Sequence, residues 1–116
     1  MTGGRLKRWL VLMLAISANA MAANADAGKA AVQKYNCASC HGADFNSPID
    51  PTYPKLAGQH EDYLRHALHA YQRGGDVLNG RGNPIMGGMA KPLSPAEIDD
   101  IAAYLSGLKG SLVLRK

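Results

Sequence analysis

The sequence predicts an all-α fold of three main helices and two long loops, and three observations lead there. Apolar residues recur at steps of three and four over 63–71 and 98–108, the period of a half-buried helix. No segment alternates apolar and polar residues as a half-buried strand would. Glycine, proline and Asx residues gather in two stretches, 42–58 and 75–92, that separate the helical ones. The chain has 116 residues and no internal repeat, room for one compact domain.

The first stretch stands apart from that domain. Arg5, Lys7 and Arg8 precede an unbroken apolar run from Trp9 to Ile16, and small residues follow with A-x-A patterns between Ala18 and Ala25. Basic, apolar and small zones in that order read as a secretory signal peptide, residues 1–22 with cleavage as late as 25, before a domain over 23–116. An uncleaved anchor is the rival, but a span needs about 20 apolar residues and Asn19 and Asn24 interrupt the run. No stable membrane insertion is expected.

The first helix runs from Ala27 to about Tyr35, with Asp26 as its N-cap and Val32 on the buried side. Residues 42–58 hold Pro48, Pro51 and Pro54 and read as an ordered loop. A second helix covers His60 to Arg73. Tyr63, Leu64, Ala67, Leu68 and Tyr71 form its apolar face, and Gly74-Gly75 end it. Residues 75–92 form a glycine-rich loop. The last helix is the best marked: Ser94-Pro95-Ala96-Glu97 is a capping box with Pro at the first helical position. Ile98, Ile101, Ala102, Leu105 and Leu108 then share one face, Gly107 or Gly110 closes it, and 111–116 is a frayed tail.

Charge narrows the function. Thirteen basic residues against nine acids give +4, but three of the basic residues lie in the signal, and ten against nine leaves +1 from Ala23 onward. No basic stripe remains for nucleic acid. The domain is also short of core. Beyond the signal its only aromatics are Phe45 and five Tyr, and a domain this small often needs a staple. Its two cysteines, Cys37 and Cys40, are too close to tie distant parts together. Something else must fill the core.

Cys37-Ala38-Ser39-Cys40-His41 is C-x-x-C-H, the signature for covalent attachment of haem c. One turn of helix or a tight loop sets two thiols under one porphyrin edge and projects the next residue's imidazole at the iron. A thioredoxin-like dithiol would want a strand before the motif and a helix running on after it. Here a helical segment precedes it and Gly42 follows directly. A structural zinc site would want four ligands, and there is no second cysteine pair. The sixth iron position has two thioether candidates, Met86 and Met89, in Asn83-Pro84-Ile85-Met86-Gly87-Gly88-Met89. A loop of small residues lets either approach, and His/Met ligation raises the reduction potential. Gap-filling packing is the fate of the other. His60, His66 and His69 read as solvated surface residues, and His66 with His69, three apart, falls short of a metal site.

Taken together these residues resemble the class I cytochromes c, and most closely one half of the two-haem periplasmic cytochrome c-four kind. The shared pattern is Cys37-x-x-Cys40-His41-Gly42, then Tyr53-Pro54-Lys55-Leu56-Ala57-Gly58-Gln59, Tyr63-Leu64, Met86-x-x-Met89-Ala90, Leu93-Ser94 and Ile101-Ala102-Ala103-Tyr104-Leu105. The resemblance implies an all-α class I cytochrome c fold wrapped around one covalent haem, its first and last helices crossing. It implies His41 as proximal ligand, Pro54 as the carbonyl that accepts the His41 Nδ1 proton, and Leu56 packing on the proximal side. It favours Met86 over Met89 as the axial Met, because Leu93 follows Met86 at the family's spacing. It sets Gly28 at the helix crossing with Tyr104 against it. A single C-x-x-C-H makes this a single-haem relative.

The expected function is a periplasmic one-electron carrier rather than an enzyme, since two protein ligands leave iron no open position. Its partners would be redox proteins, such as a membrane cytochrome complex, a terminal oxidase or a periplasmic dehydrogenase, met as a monomer or weak homodimer. A dedicated electron-accepting subunit of an exported dehydrogenase or oxidase is the alternative. A ligand-binding or peroxidatic haem protein is a third, requiring Met86 off the iron.

Overall fold

The computed structural model describes residues 22–112, and the predicted signal peptide lies outside them but for its last residue. Among the described residues there are five helices and no strand: α1 (Ala25–Lys34), α2 (Ala38–His41), α3 (Glu61–Arg73), α4 (Pro84–Ala90) and α5 (Pro95–Ser106). The three long ones are the three foreseen, and α2 and α4 are single short additions within the connecting segments. No helix among the described residues is long and apolar enough to cross a membrane.

Each start has a local cause. Asn24, not Asp26, caps α1: its side chain accepts from the amides of Asp26 and Ala27, so the helix begins two residues earlier than expected. The Asn24 amide in turn donates to Asp100 Oδ1 at 2.8 Å, fastening this end to α5. Asp26 instead sits in the first turn, where a carboxylate suits the helix dipole. Tyr35 and Asn36 turn the chain into α2, with Asn36 at φ 55°, a conformation Asn tolerates better than most. Gly42 ends α2 at φ 88°, and a side chain there would overlap the Ser47 carbonyl. At α5 the capping box is complete: Ser94 Oγ accepts from the Glu97 amide and Glu97 Oε1 from the Ser94 amide, each at 3.1 Å.

The α4 helix corrects the expectation of a loop over 75–92. Asn83 accepts from the amides of Ile85 and Met86, and Pro84 takes the first helical position. Residues 75–82 remain without helix.

α1 packs across α5, α3 lies on α5, and α4 lies on α3. The first and last helices meet at Gly28, where a Cβ would collide with the Asp100 carbonyl and with Tyr104. Val32, Ile98, Ile101, Ala102 and Leu105 are buried as foreseen, joined by Leu64, Leu93 and Phe45. Phe45 meets Tyr104 edge-on, with ring centroids 6.3 Å apart. Leu108 lies beyond the end of α5 and packs against the same core only half-buried. On α3 the expected apolar face is less uniform: Leu64 is buried, whereas Tyr63 is 49% exposed. Its partner is Arg81.

Candidate haem-binding site

α2, α3, α4 and α5, with the turn Tyr35-Asn36 that follows α1, surround a cleft of about 240 Å³. Its floor is apolar, built from Leu56, Leu64, Leu68, Leu93, Ile101 and Leu105. Every residue expected at the site reaches it: Cys37, Cys40, His41, Pro54, Leu56, Met86 and Met89 all line the cleft. His60, His66 and His69 do not. His60 and His66 are exposed as expected, but His69 is half-buried with Nδ1 3.3 Å from Gln72 Oε1. Among the described residues no group of His, Cys, Asp or Glu side chains is arranged to hold a metal ion by itself.

The motif occupies one turn. The amides of both Cys40 and His41 point back to the Cys37 carbonyl, at 3.3 and 3.2 Å, which puts the two thiols on the cleft side of a single helical turn. The two cysteines form no disulfide with each other. Burial pushes the Cys37 thiol above its ordinary value. A reactive dithiol needs the opposite shift, a stabilised thiolate.

His41 is buried beside them at 6% exposure. Its Nδ1 lies 2.9 Å from the Pro54 carbonyl oxygen. A carbonyl only accepts, so Nδ1 carries a proton and donates, which leaves Nε2 as the nitrogen available to ligate a metal. The Pro54 segment is itself held: the amides of Leu56 and Ala57 donate to the Phe45 carbonyl at 2.8 and 3.0 Å. The Tyr53 ring stands 6.4 Å from the imidazole.

Across α4 the two thioethers differ in cover. Met86 is half-buried and Met89 is 39% exposed, though both border the cleft.

The charge pattern of the lining is one-sided. Lys55 and Arg81 contribute cations and no Asp or Glu lines the cleft. Arg81 is braced by aromatic rings, its guanidinium carbon 5.4 Å from the ring centres of both Tyr63 and Tyr71. Its Nη2 donates to the Tyr63 hydroxyl at 3.2 Å, and the Tyr63 and Tyr71 hydroxyls push the guanidinium still further above its already high ordinary value. Its own amide donates to the Ala70 carbonyl at 2.9 Å, which pins the 75–82 segment to α3. An apolar cleft with two thiols at one edge, an imidazole whose Nε2 is free of the Pro54 bond, and two lining cations suits a flat apolar group with an anionic rim. Haem, with its two carboxylates, fits that description.

Sequence reasoning passed over Arg81, and quoted Gln59 in the family pattern without giving it a place in the cleft. Tyr63 and Tyr71, two turns apart on one helix face, were visible as a pair, but the return of Arg81 between them was not.

Comparisons agree with the geometry. A cytochrome c family model matches residues 25–109. The chain is 44% identical over 108 residues to cytochrome c4 of Stutzerimonas stutzeri, covering 89% of this chain and 50% of that one. It is 42% identical over 76 residues to the thiosulfate dehydrogenase electron acceptor of Thiomonas intermedia (strain K12), covering 66% and 33%. The crystal structure of reduced recombinant cytochrome c4 from Pseudomonas stutzeri superposes with a TM-score of 0.65 at 41% identity, covering 78% of this chain and 48% of that one. The chain thus spans about half the length of the cytochromes c4 it matches.

Proposed function

The chain belongs to the cytochrome c family, and from that premise we propose that it is a periplasmic single-haem electron carrier in which His41 and Met86 hold the iron. The family binds haem c through C-x-x-C-H, and this chain has the motif once, at 37–41. Haem c supplies a one-electron iron couple, and the residues around it set the potential and the access.

The observation that carries the reading is the His41–Pro54 bond. It fixes the imidazole in the tautomer whose Nε2 is free to ligate, and it makes that nitrogen more basic. Cys37 and Cys40 would take the two thioether links. Leu56, beside Pro54, would pack on the His41 side. Met86 is favoured over Met89 because it is the less exposed of the two cleft-lining thioethers. The apolar floor would keep water from the haem iron and so favour its less charged ferrous state. Arg81 and Lys55 would face the carboxylate rim. With His41 and Met86 both on the iron, the protein would leave no open position for a substrate, and one-electron transfer would be the chemistry that remains. Export is supported by the basic, apolar and small-residue order of 1–25.

A second reading has one specific observation behind it. A relative is named as the electron acceptor of a dehydrogenase, which favours a dedicated accepting subunit over a free shuttle. Affinity purification from the native host separates them: a stoichiometric second chain that survives gel filtration identifies the subunit, and its absence the shuttle.

The ligand assignment is tested by optical spectra of the purified protein with Met86→Ala and Met89→Ala. The weak far-red Met-sulfur-to-ferric-iron band is expected in wild type and in Met89→Ala, and lost in Met86→Ala. A wild type without the band that binds carbon monoxide readily overturns the carrier reading in favour of a ligand-binding or peroxidatic one.

A further inference from the structure

The helix that bears both thioethers cannot hold itself. α4 has seven residues, with Gly87 and Gly88 at its centre. A helix so short, with two glycines, does not persist in water without outside support. Asn83 secures its N-terminal end.

Its other end is secured from a different element. Gln72, in the last turn of α3, donates through Nε2 to the carbonyls of Ala90 at 2.9 Å and Leu93 at 2.8 Å. Ala90 is fully buried and Leu93 nearly so, so these carbonyls have little access to water as a substitute. The amide is oriented in its turn. His69 Nδ1 lies 3.3 Å from Gln72 Oε1, and since that oxygen only accepts, the imidazole donates. Neither side chain lines the cleft.

We propose that Gln72, oriented by His69, is a positioning residue that sets how readily α4 lifts its Met86 thioether from the iron. The proposal rests on the reading of Met86 as the axial ligand. With the amide gone, the Leu93 carbonyl loses its side-chain donor and the Ala90 carbonyl keeps only the Leu93 amide. The C-terminal end of α4 is then held less firmly against α3, and an external ligand displaces the sulfur more easily.

The test is a cyanide titration of the ferric holoprotein, following loss of the far-red band in wild type, Gln72→Leu, His69→Ala and Val32→Ala. Val32 is buried between α1 and α5 and does not line the cleft; its truncation weakens the core without touching α4. Gln72→Leu is expected to bind cyanide about tenfold more tightly, from the two hydrogen bonds removed. His69→Ala shifts the affinity the same way by a smaller factor, and Val32→Ala leaves it at the wild-type value. If Gln72→Leu and Val32→Ala bind cyanide alike, Gln72 contributes only to general stability and the proposal fails. Should Gln72→Leu yield no holoprotein, an unchanged affinity in His69→Ala overturns it instead. A wild type that lacks the band overturns the Met86 reading itself, an outcome distinct from a normal wild type with an indifferent Gln72→Leu.

Discussion

At the scale of single residues, His41 and Arg81 show how the cleft divides its work. His41 is fixed by a backbone carbonyl, a partner that no side-chain mutation can remove, so its orientation is built into the fold. Arg81 is held by side chains, the rings of Tyr63 and Tyr71 and the Tyr63 hydroxyl. A positive charge near the iron favours the ferrous form. Replacing Arg81 by Leu should therefore lower the reduction potential, by on the order of tens of millivolts at the effective dielectric of a half-buried site. Redox titration of the variant checks this. An unaltered potential would mean that the guanidinium does not meet the haem carboxylates.

At the scale of elements, the decisive contact is the crossing of α1 and α5. Gly28 lets the two backbones close on one another, because a Cβ would drive into the Asp100 carbonyl, which cannot swing aside as a side chain can. Gly28→Ala gains slightly in helix propensity but forces the crossing apart, and overpacking of that kind costs about 1–3 kcal/mol or more. Denaturant unfolding of the holoprotein should show the loss, with the far-red band retained in the folded fraction because α3 and α4 are unaffected. Stability equal to wild type would mean that the helices re-seat without strain.

At the scale of the whole molecule, ion pairs and side-chain hydrogen bonds join helices distant in sequence. Arg65 on α3 meets Glu61 and Asp62 on its own helix and Asp99 on α5. Glu97 on α5 accepts from Tyr35 and Lys34 at the end of α1. The Ser94 amide, then the Tyr35 hydroxyl and Lys34, hold the Glu97 carboxyl below its ordinary value. Asp44, by the Asn46 amide, and Asp50, by the Thr52 hydroxyl, are lowered too. A carboxylate lowered by folding contributes stability that is complete above its unfolded value and disappears as pH falls through the folded one. The melting temperature should thus hold steady from neutrality down to the ordinary carboxylate range and fall below it. Glu97→Gln should flatten that fall; a slope identical to wild type would remove Glu97 from the account.

The sequence by itself determined the helical class, the Ser94 cap, the apolar faces of α3 and α5 and the C-x-x-C-H motif, because these are local patterns fixed by spacing along the chain. It read 75–92 as loop, although Asn83-Pro84 is a helix start; the two glycines argued against a helix that only contacts with α3 sustain. It placed the cap of α1 at Asp26, since either Asx residue would serve locally, and the bond from Asn24 to Asp100 decided between them. Arg81 beneath two tyrosines and Gln72 beneath two carbonyls were settled by the tertiary structure alone. Their partners lie up to about twenty residues away along the chain, where no period or spacing rule reaches, and they meet because the 75–93 segment, α4 included, folds back onto α3.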